Sequence, residues 1–415
     1  MVLAALRVRS FRFQWSADLL TSWAFEMETL VLGWYVMVST GSVLALTAFG
    51  SLQFVGTLAA PVFGLLGDRL GGRAMLCAMR AVYATLAATL AVLALTGLLT
   101  PALVLVVAGL AGIVRPNDLV MRNSLIGETI PPAHVVNALG LSRATMDSAR
   151  VAGALAGAAL SSALGVGATY VVVTSFYLAS LALTLGVARR PRMPDPAAGA
   201  PALPPPSGWR DLVDGVRHVA RTPELLAMML LAFLINLTAY PVSGGLLPYA
   251  ARHVYAVDAT GLGWLVASFA LGGLLASLTM VLLGRIRHAE RATLVGTAIW
   301  YALLLGFGNL RDLSAGILAL LAAGFVQNVA MISMTATLLA AAGDRYRGRV
   351  MGVRMLAVYG MPLGLVGAGV VIDRIGYPPT ISAMAAIGLV FTLVIALRWR
   401  AAIWPTGREP APASP

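Results

Sequence analysis

Lysine is missing from this chain altogether: all 29 basic residues among its 415 are arginine. The absence removes whole classes of chemistry. A phosphate-binding P-loop places a lysine after its glycine-rich turn, and Schiff-base catalysis needs a lysine amine. Any uphill work is therefore not driven by a P-loop of the chain's own. One cysteine, Cys77, allows no internal disulfide and no cysteine metal cluster. The histidines, at 134, 218, 253 and 288, fall in expected loops and form no metal-ligand pair, and no nucleophile has a plausible base. No cofactor and no catalysis are expected. Charge is scarce as well. Charged residues make up 11% of the chain, against about 25% in a soluble domain, too few to cover a water-soluble protein of this size.

What is present is apolar. Hydrophobic residues make up 59% of the sequence, gathered in runs of about 20 that read as membrane-spanning helices. Twelve spans are expected, near 15–38, 44–66, 74–97, 101–126, 141–164, 168–187, 224–248, 261–284, 292–310, 313–340, 350–372 and 376–397. The first is too long for a signal peptide and lacks a cleavage pattern, so it is kept as mature structure. With the N-terminus inside, the inner segments hold Arg7, Arg9, Arg12, Arg69, Arg73, Arg143 and clusters around 189–221, 285–291, 345–349 and 398–408. The outer loops keep only Arg252, Arg311 and Arg374. That bias places both termini in the cytoplasm. It also accounts for the net charge of +12 without a nucleic-acid partner.

The stretch "PRMPDPAAGAPALPPPSG" is too proline-rich for a helix and reads as a linker. After it Trp209, Leu212, Val213, Val216 and Ala220 recur at helical spacing, with Arg210, Asp214, Arg217 and Arg221 on the other side. An amphipathic helix on the cytoplasmic face is expected. The organisation is then a first six-helix bundle (1–188), a linker with its helix (189–222), a second six-helix bundle (223–400) and a disordered tail (401–415). Six spans on each side suit a transporter built from two pseudo-symmetric repeats.

Between spans two and three lies "GLLGDRLGGRA". Gly64, Asp68, Arg69, Gly71 and Arg73 stand in register with a loop signature of the major facilitator superfamily, Gly-x-x-x-Asp-Arg-x-Gly-Arg-Arg/Lys, which this chain resembles over nearly its whole length. It departs from the pattern at Gly72, where a second basic residue is common. The turn is either a latch, with Arg69 and Arg73 pairing with carboxylates across a cytoplasmic seam, or an orientation signal alone. "GDRYRGRVMG", 343–352, resembles the corresponding loop in the branch of that superfamily that includes siderophore exporters.

Ionisable groups in a bilayer core are costly and point to function. In span one Asp18, Ser22, Glu26, Thr29 and Gly33 follow helical spacing, with Glu28 facing nearly opposite. Glu26 lies about 16 Å from the inner end. A carboxylate held out of water takes up and releases a proton nearer neutral pH than an exposed one. Glu26 is thus the first candidate for proton coupling, or else a carboxylate permanently paired with an arginine. Arg115, Asp118 and Arg122 share a face of span four, with Arg122 expected to snorkel or to meet the charged turn; Arg143, Asp147 and Arg150 share a face of span five. A network of Glu26, Arg115, Asp118, Asp147 and Arg150 is expected, as a switch or as a static clamp. The resemblance implies a coupling role for an arginine in span four, here Arg115. It also implies a Gly-Pro pair in span five, which this chain replaces with Ala152 and Gly153. Span eleven carries "GMPLG" in the symmetry-related place.

Glu28, Asn236, Gln327, Asn328 and Met331 are candidates to line a substrate cavity, and Met334, Met351, Met355 and Met361 add adaptable apolar surface. The expected function is alternating-access transport, as a proton-coupled exporter of a small apolar or amphiphilic molecule. An importer of the same fold and a non-transporting sensor or scaffold remain open. The expected setting is the cytoplasmic membrane, the expected state a monomer.

Overall fold

The computed structural model describes residues 4–59, 63, 66–67, 70–188, 208–283 and 288–403. These residues form helices throughout, making twelve passages in two sets of six. In the first half they are α1 (Arg9–Thr40), α2 (Val43–Leu52, continued by a 3-10 turn at Val55–Ala59), α3 (Gly72–Leu95), α4 (Pro101–Thr129), α5 (132–164) and α6 (166–185). A helix on its own, α7, covers Gly208–Arg221. The second half has α8 (Pro223–Thr238, carried on by wide turns to Val254), α9 (Ala259–Leu283), α10 (Ala289–Phe307), α11 (313–342), α12 (344–357 and Gly360–Ile375) and α13 (Tyr377–Arg398). Eight of the helices are long and apolar enough to cross a membrane by length and composition alone. Val281 and Leu282 stand 80% and 86% exposed, which only a lipid surround makes favourable.

Local chemistry sets the breaks. Ser42, Thr100 and Asp312 accept hydrogen bonds from the first turns of α2, α4 and α11. Gly165 and Gly343 take left-handed φ of 77° and 64° between continuous helices, a conformation that costs glycine nothing. Helix α5 starts at Pro132, a full two turns earlier than the apolar run implied.

In the first bundle α1 and α3 pack against α5 and α6, with α4 beside α3; in the second, α11 packs on α9 and α10, and α8 on α12 and α13. Glycines set the closest approaches, in matching pairs. A Cβ on Gly112 or Gly56 would collide with backbone of α2 or α4, and one on Gly272 or Gly324 with backbone of α11 or α9. Gly153 and Gly157 on α5 seat against Trp23 and Met27 of α1, as Gly360 and Gly364 on α12 seat against Phe233 and Leu237 of α8. The second and fourth helices of each half thus repeat one contact, and the first and fifth another.

The bundles meet at the end of the molecule away from the termini. There Gly33 meets Pro248, Gly369 meets Thr47, Gly263 meets Ala158, and the Ser51 hydroxyl donates to Pro362 O at 3.2 Å. Towards the terminal end the halves part around a cavity. Helix α7 lies at that end, packed on the run of α11 and α12 and on α8. Gly215 abuts Val353 and Arg349, and His218 stacks on Tyr346 with centroids 4.1 Å apart. The apolar stripe does not make this contact: Val213, Val216 and Ala220 are exposed, whereas Gly215 and Val219 are buried. Glycine lets the backbone itself reach α12, and that contact sets the rotation of the helix. The side chains of Trp209, Arg210 and Leu212 lie outside the described residues.

Candidate functional site

A cavity of about 920 Å³ lies between the bundles. Its lining is mainly apolar, and five charged side chains reach it: Glu26 on α1, Arg143, Asp147 and Arg150 on α5, and Arg354 on α12. Arg150 Nε stands 3.6 Å from Glu26 Oε1, with both side chains partly exposed. Arg143 Nε stands 3.3 Å from Asp147 Oδ2. Arg354 Nη1 donates to Thr335 Oγ1 at 2.7 Å and has no carboxylate partner among the described residues. Gly153 makes the first pair possible, because a Cβ there would stand 2.8 Å from the Cβ of Glu26. The close seat of α5 on α1 brings Arg150 to Glu26.

A second charge cluster is sealed inside the first bundle. Arg80 of α3 pairs with Asp18 of α1 and donates to Thr184 of α6. Arg122 pairs with Asp118, lies 3.6 Å from Asp18 Oδ1 and donates to Ser22 at 2.9 Å. Further along, Arg115 meets Glu28 at 2.5 Å and Gln53 at 2.8 Å, while the Tyr177 hydroxyl donates to Glu28 at 2.8 Å. The Arg115 guanidinium lies 4.4 Å from the Phe25 ring centroid and the Arg122 one 5.8 Å, so cation–π attraction adds to the ion pairs. Three carboxylates face three guanidinium groups here. The cluster is charge-balanced, whereas the cavity wall carries one more cation than anions.

The expected single network is therefore two. Glu26, Asp147 and Arg150 share the cavity wall, while Asp118 and Arg115 belong to the buried cluster. Arg115 does not pair with Glu26; its carboxylate is Glu28. Glu28 itself, expected at the cavity, is 6% exposed and turned into the bundle, because it sits some 200° around α1 from Glu26. Asn236 is likewise corrected: its amide donates to Ala232 O at 2.8 Å beside Gly360, where α8 and α12 touch. Gln327, Asn328 and Met331 do line the cavity. Gln327 donates to Tyr240 OH at 2.8 Å, and Asn328 spends its amide on Gly273 O and Ser277. Arg122, expected to snorkel, is 4% exposed. Of the methionines, Met331 and Met361 reach the cavity and Met355 faces outward.

Gly64, Asp68 and Arg69 of the charged turn lie outside the described residues. Gly71 precedes α3 with φ 84°, and the next amide, on Gly72, donates to Glu128 Oε1 at 3.3 Å. Arg73, expected to meet carboxylates across the seam, instead donates to Thr184 O and Leu185 O at the end of α6 in its own bundle. Those carbonyls lie in the last turn of a helix, where a cation is favoured. Sequence reasoning missed Arg80, Gln53, Tyr177, Tyr240 and Arg354. For Arg80 and Arg354 the signal was there, an arginine isolated inside an apolar run.

Two helical bundles around a cavity with ionised walls, set in an apolar exterior, define an integral membrane protein that carries small molecules rather than an enzyme. The chain belongs to the Major Facilitator Superfamily, whose model matches residues 15–353. It is 25% identical over 366 residues to the "Multidrug efflux pump Tap" of Mycolicibacterium fortuitum, covering 85% of this chain and 86% of that one. Among solved structures it is similar to the POT family transporter PepTSo, with TM-score 0.72, 12% identity, and coverage of 96% of this chain and 99% of that one. It is also similar to the human organic anion transporter MFSD10, with TM-score 0.64, 17% identity, and coverage of 93% and 99%. These structural likenesses concern the fold.

Proposed function

We propose that the protein is a proton-coupled exporter that works by alternating access from the cytoplasmic membrane. The arginine-rich end, which carries the termini and α7, is the cytoplasmic one on the charge bias. The cavity then opens to the cytoplasm while the outer half is closed by the contacts around Thr47, Gly263 and Pro248. This is the loading state of an exporter. The division at 188 and 222 separates the two rocking halves. The turn from Gly64 to Arg73 serves as the inner latch, and the engagement of Arg73 with α6 is its released position.

One observation carries the reading: the Glu26–Arg150 pair stands in the cavity wall rather than sealed in the bundle. Protonation of Glu26 would remove its charge, release Arg150 and change the balance of the wall as the substrate leaves. Asp147 and Arg143 form a second pair on α5, within about two turns of Arg150, and serve the same exchange. Arg115, closed on Glu28, and Arg122, held by Asp118 and reaching Ser22, hold α4 against α1. The apolar lining and the similarity to a multidrug efflux pump support an apolar or amphiphilic substrate.

The test is dye accumulation in inverted vesicles under pH gradients of either sign. Interior-acid vesicles should accumulate a lipophilic dye, and Glu26→Gln should abolish the gradient-driven part while the protein still inserts. Accumulation indifferent to the gradient removes coupling, and movement only in the opposite sense assigns import.

A further inference from the structure

Among the charged groups that line the cavity, Arg354 is the one left with a neutral partner. It belongs to α12, ten residues beyond the start of that helix at the open end. Three guanidinium groups face two carboxylates across the wall, and the four other charges stand as Glu26–Arg150 and Asp147–Arg143. The buried cluster in the first bundle shows that this chain balances its intramembrane charges one for one where no ligand can enter. The excess at Arg354 lies where a ligand can.

The surroundings fit an anion of a particular shape. A guanidinium has five N–H donors in a planar fork that matches a carboxylate, and Arg354 spends one on Thr335. Tyr240 lines the same cavity as Arg354. Its oxygen accepts from Gln327, so its own O–H remains to donate. The rest of the lining nearest the halves' junction is apolar, with Leu30, Phe49, Phe269, Met331 and Met361.

We propose that the cavity binds amphiphiles bearing one carboxylate, with the anionic group on Arg354 and Tyr240 and the apolar body against Phe49, Phe269 and Met331. The proposal rests on the reading of this cavity as the substrate site but not on the direction or coupling of transport. A ligand anion removes the cost of a cation with no counter-charge in a low-dielectric cavity. A cationic amphiphile would add to it.

Equilibrium binding to the purified full-length protein tests this independently of any gradient. The probes are 11-(dansylamino)undecanoic acid, its primary amide and the amine of equal chain length, followed by dansyl fluorescence. The acid should bind roughly tenfold to hundredfold tighter than the amide, the range that a charge-assisted hydrogen bond gives. Arg354→Gln should erase the preference while the amide still binds, which also reports that the variant is folded. Arg354→Lys should retain part of it, and Tyr240→Phe should reduce it. Equal binding of acid and amide, preference for the amine, no binding of any probe, or an unaltered preference in Arg354→Gln would each overturn the proposal. Loss of coupled export with the acid preference intact would count against the transport reading alone.

Discussion

At the scale of single residues, the distinction between a charge that is balanced and one that is not explains most of the polar groups in the helices. Arg80 is fully buried and holds Asp18 and Thr184 together. Removing it leaves the buried Asp18 carboxylate only the more distant Arg122, at 3.6 Å, a defect worth up to about 3–5 kcal/mol. Arg80→Ala should therefore cut the yield of folded protein and lower its thermal midpoint, measured in detergent. Arg80→Ala with Asp18→Asn should recover part of the loss. An unchanged midpoint in the single variant would show the pair to be idle. The spacing of charges along each helix was readable in the sequence, but the partners were not. At 100° per residue Asp18 and Glu26 are about 80° apart on α1, enough for one to enter the bundle and the other the cavity. Glu28 was placed on the opposite side from Glu26 correctly, yet the face it lies on leads to Arg115 and Tyr177. Which face leads where depends on how each helix is rotated in the bundle, and that is set by packing with helices distant in the chain.

At the scale of elements, close backbone contact decides which helices pair. Leu52 O sits against the α-carbon of Gly112, where a side chain has no room, whereas Gly127 on the same helix has nothing near it. Gly112→Val should destabilise by about 1–3 kcal/mol through overpacking and slow transport. Gly127→Val, on an exposed face, should do neither; comparison of thermal midpoints and transport rates separates them. The spans themselves were legible because a run of some 20 apolar residues matches the thickness of a bilayer and is too greasy to stay in water. Their ends were less so. Helix α5 begins at Pro132 because polar residues between 132 and 143 continue a helix outside the bilayer, and hydropathy measures only what lies inside. The rotation of α7 escaped the sequence for a related reason. A hydrophobic stripe marks a face that avoids water, but at a membrane surface lipid and protein both provide one, and Gly215 rather than a large apolar residue made the protein contact.

At the scale of the whole molecule, the two halves touch at one end and part at the other. A disulfide across the closed end should therefore arrest the cycle. Thr47→Cys with Gly369→Cys, in a Cys77→Ser background, joins positions whose β-carbons would lie 3.2 Å apart, near the range a disulfide spans. Oxidation should stop transport, and reduction should restore it; unaffected transport would mean that this end never opens. The six-and-six plan was legible from the proline-rich break and the placing of arginines, whereas the open end was not, since both states share one sequence. One contact carries a mechanical consequence. The ring of His218 lies flat on Tyr346, Asp214 comes within 3.9 Å of Arg349, and Gly215 leaves no gap to Val353. Helix α7 is thereby riveted to α12 as an outrigger, so any swing of the second half carries it along. A fluorophore on Arg217 would chart the stroke of one half against the other.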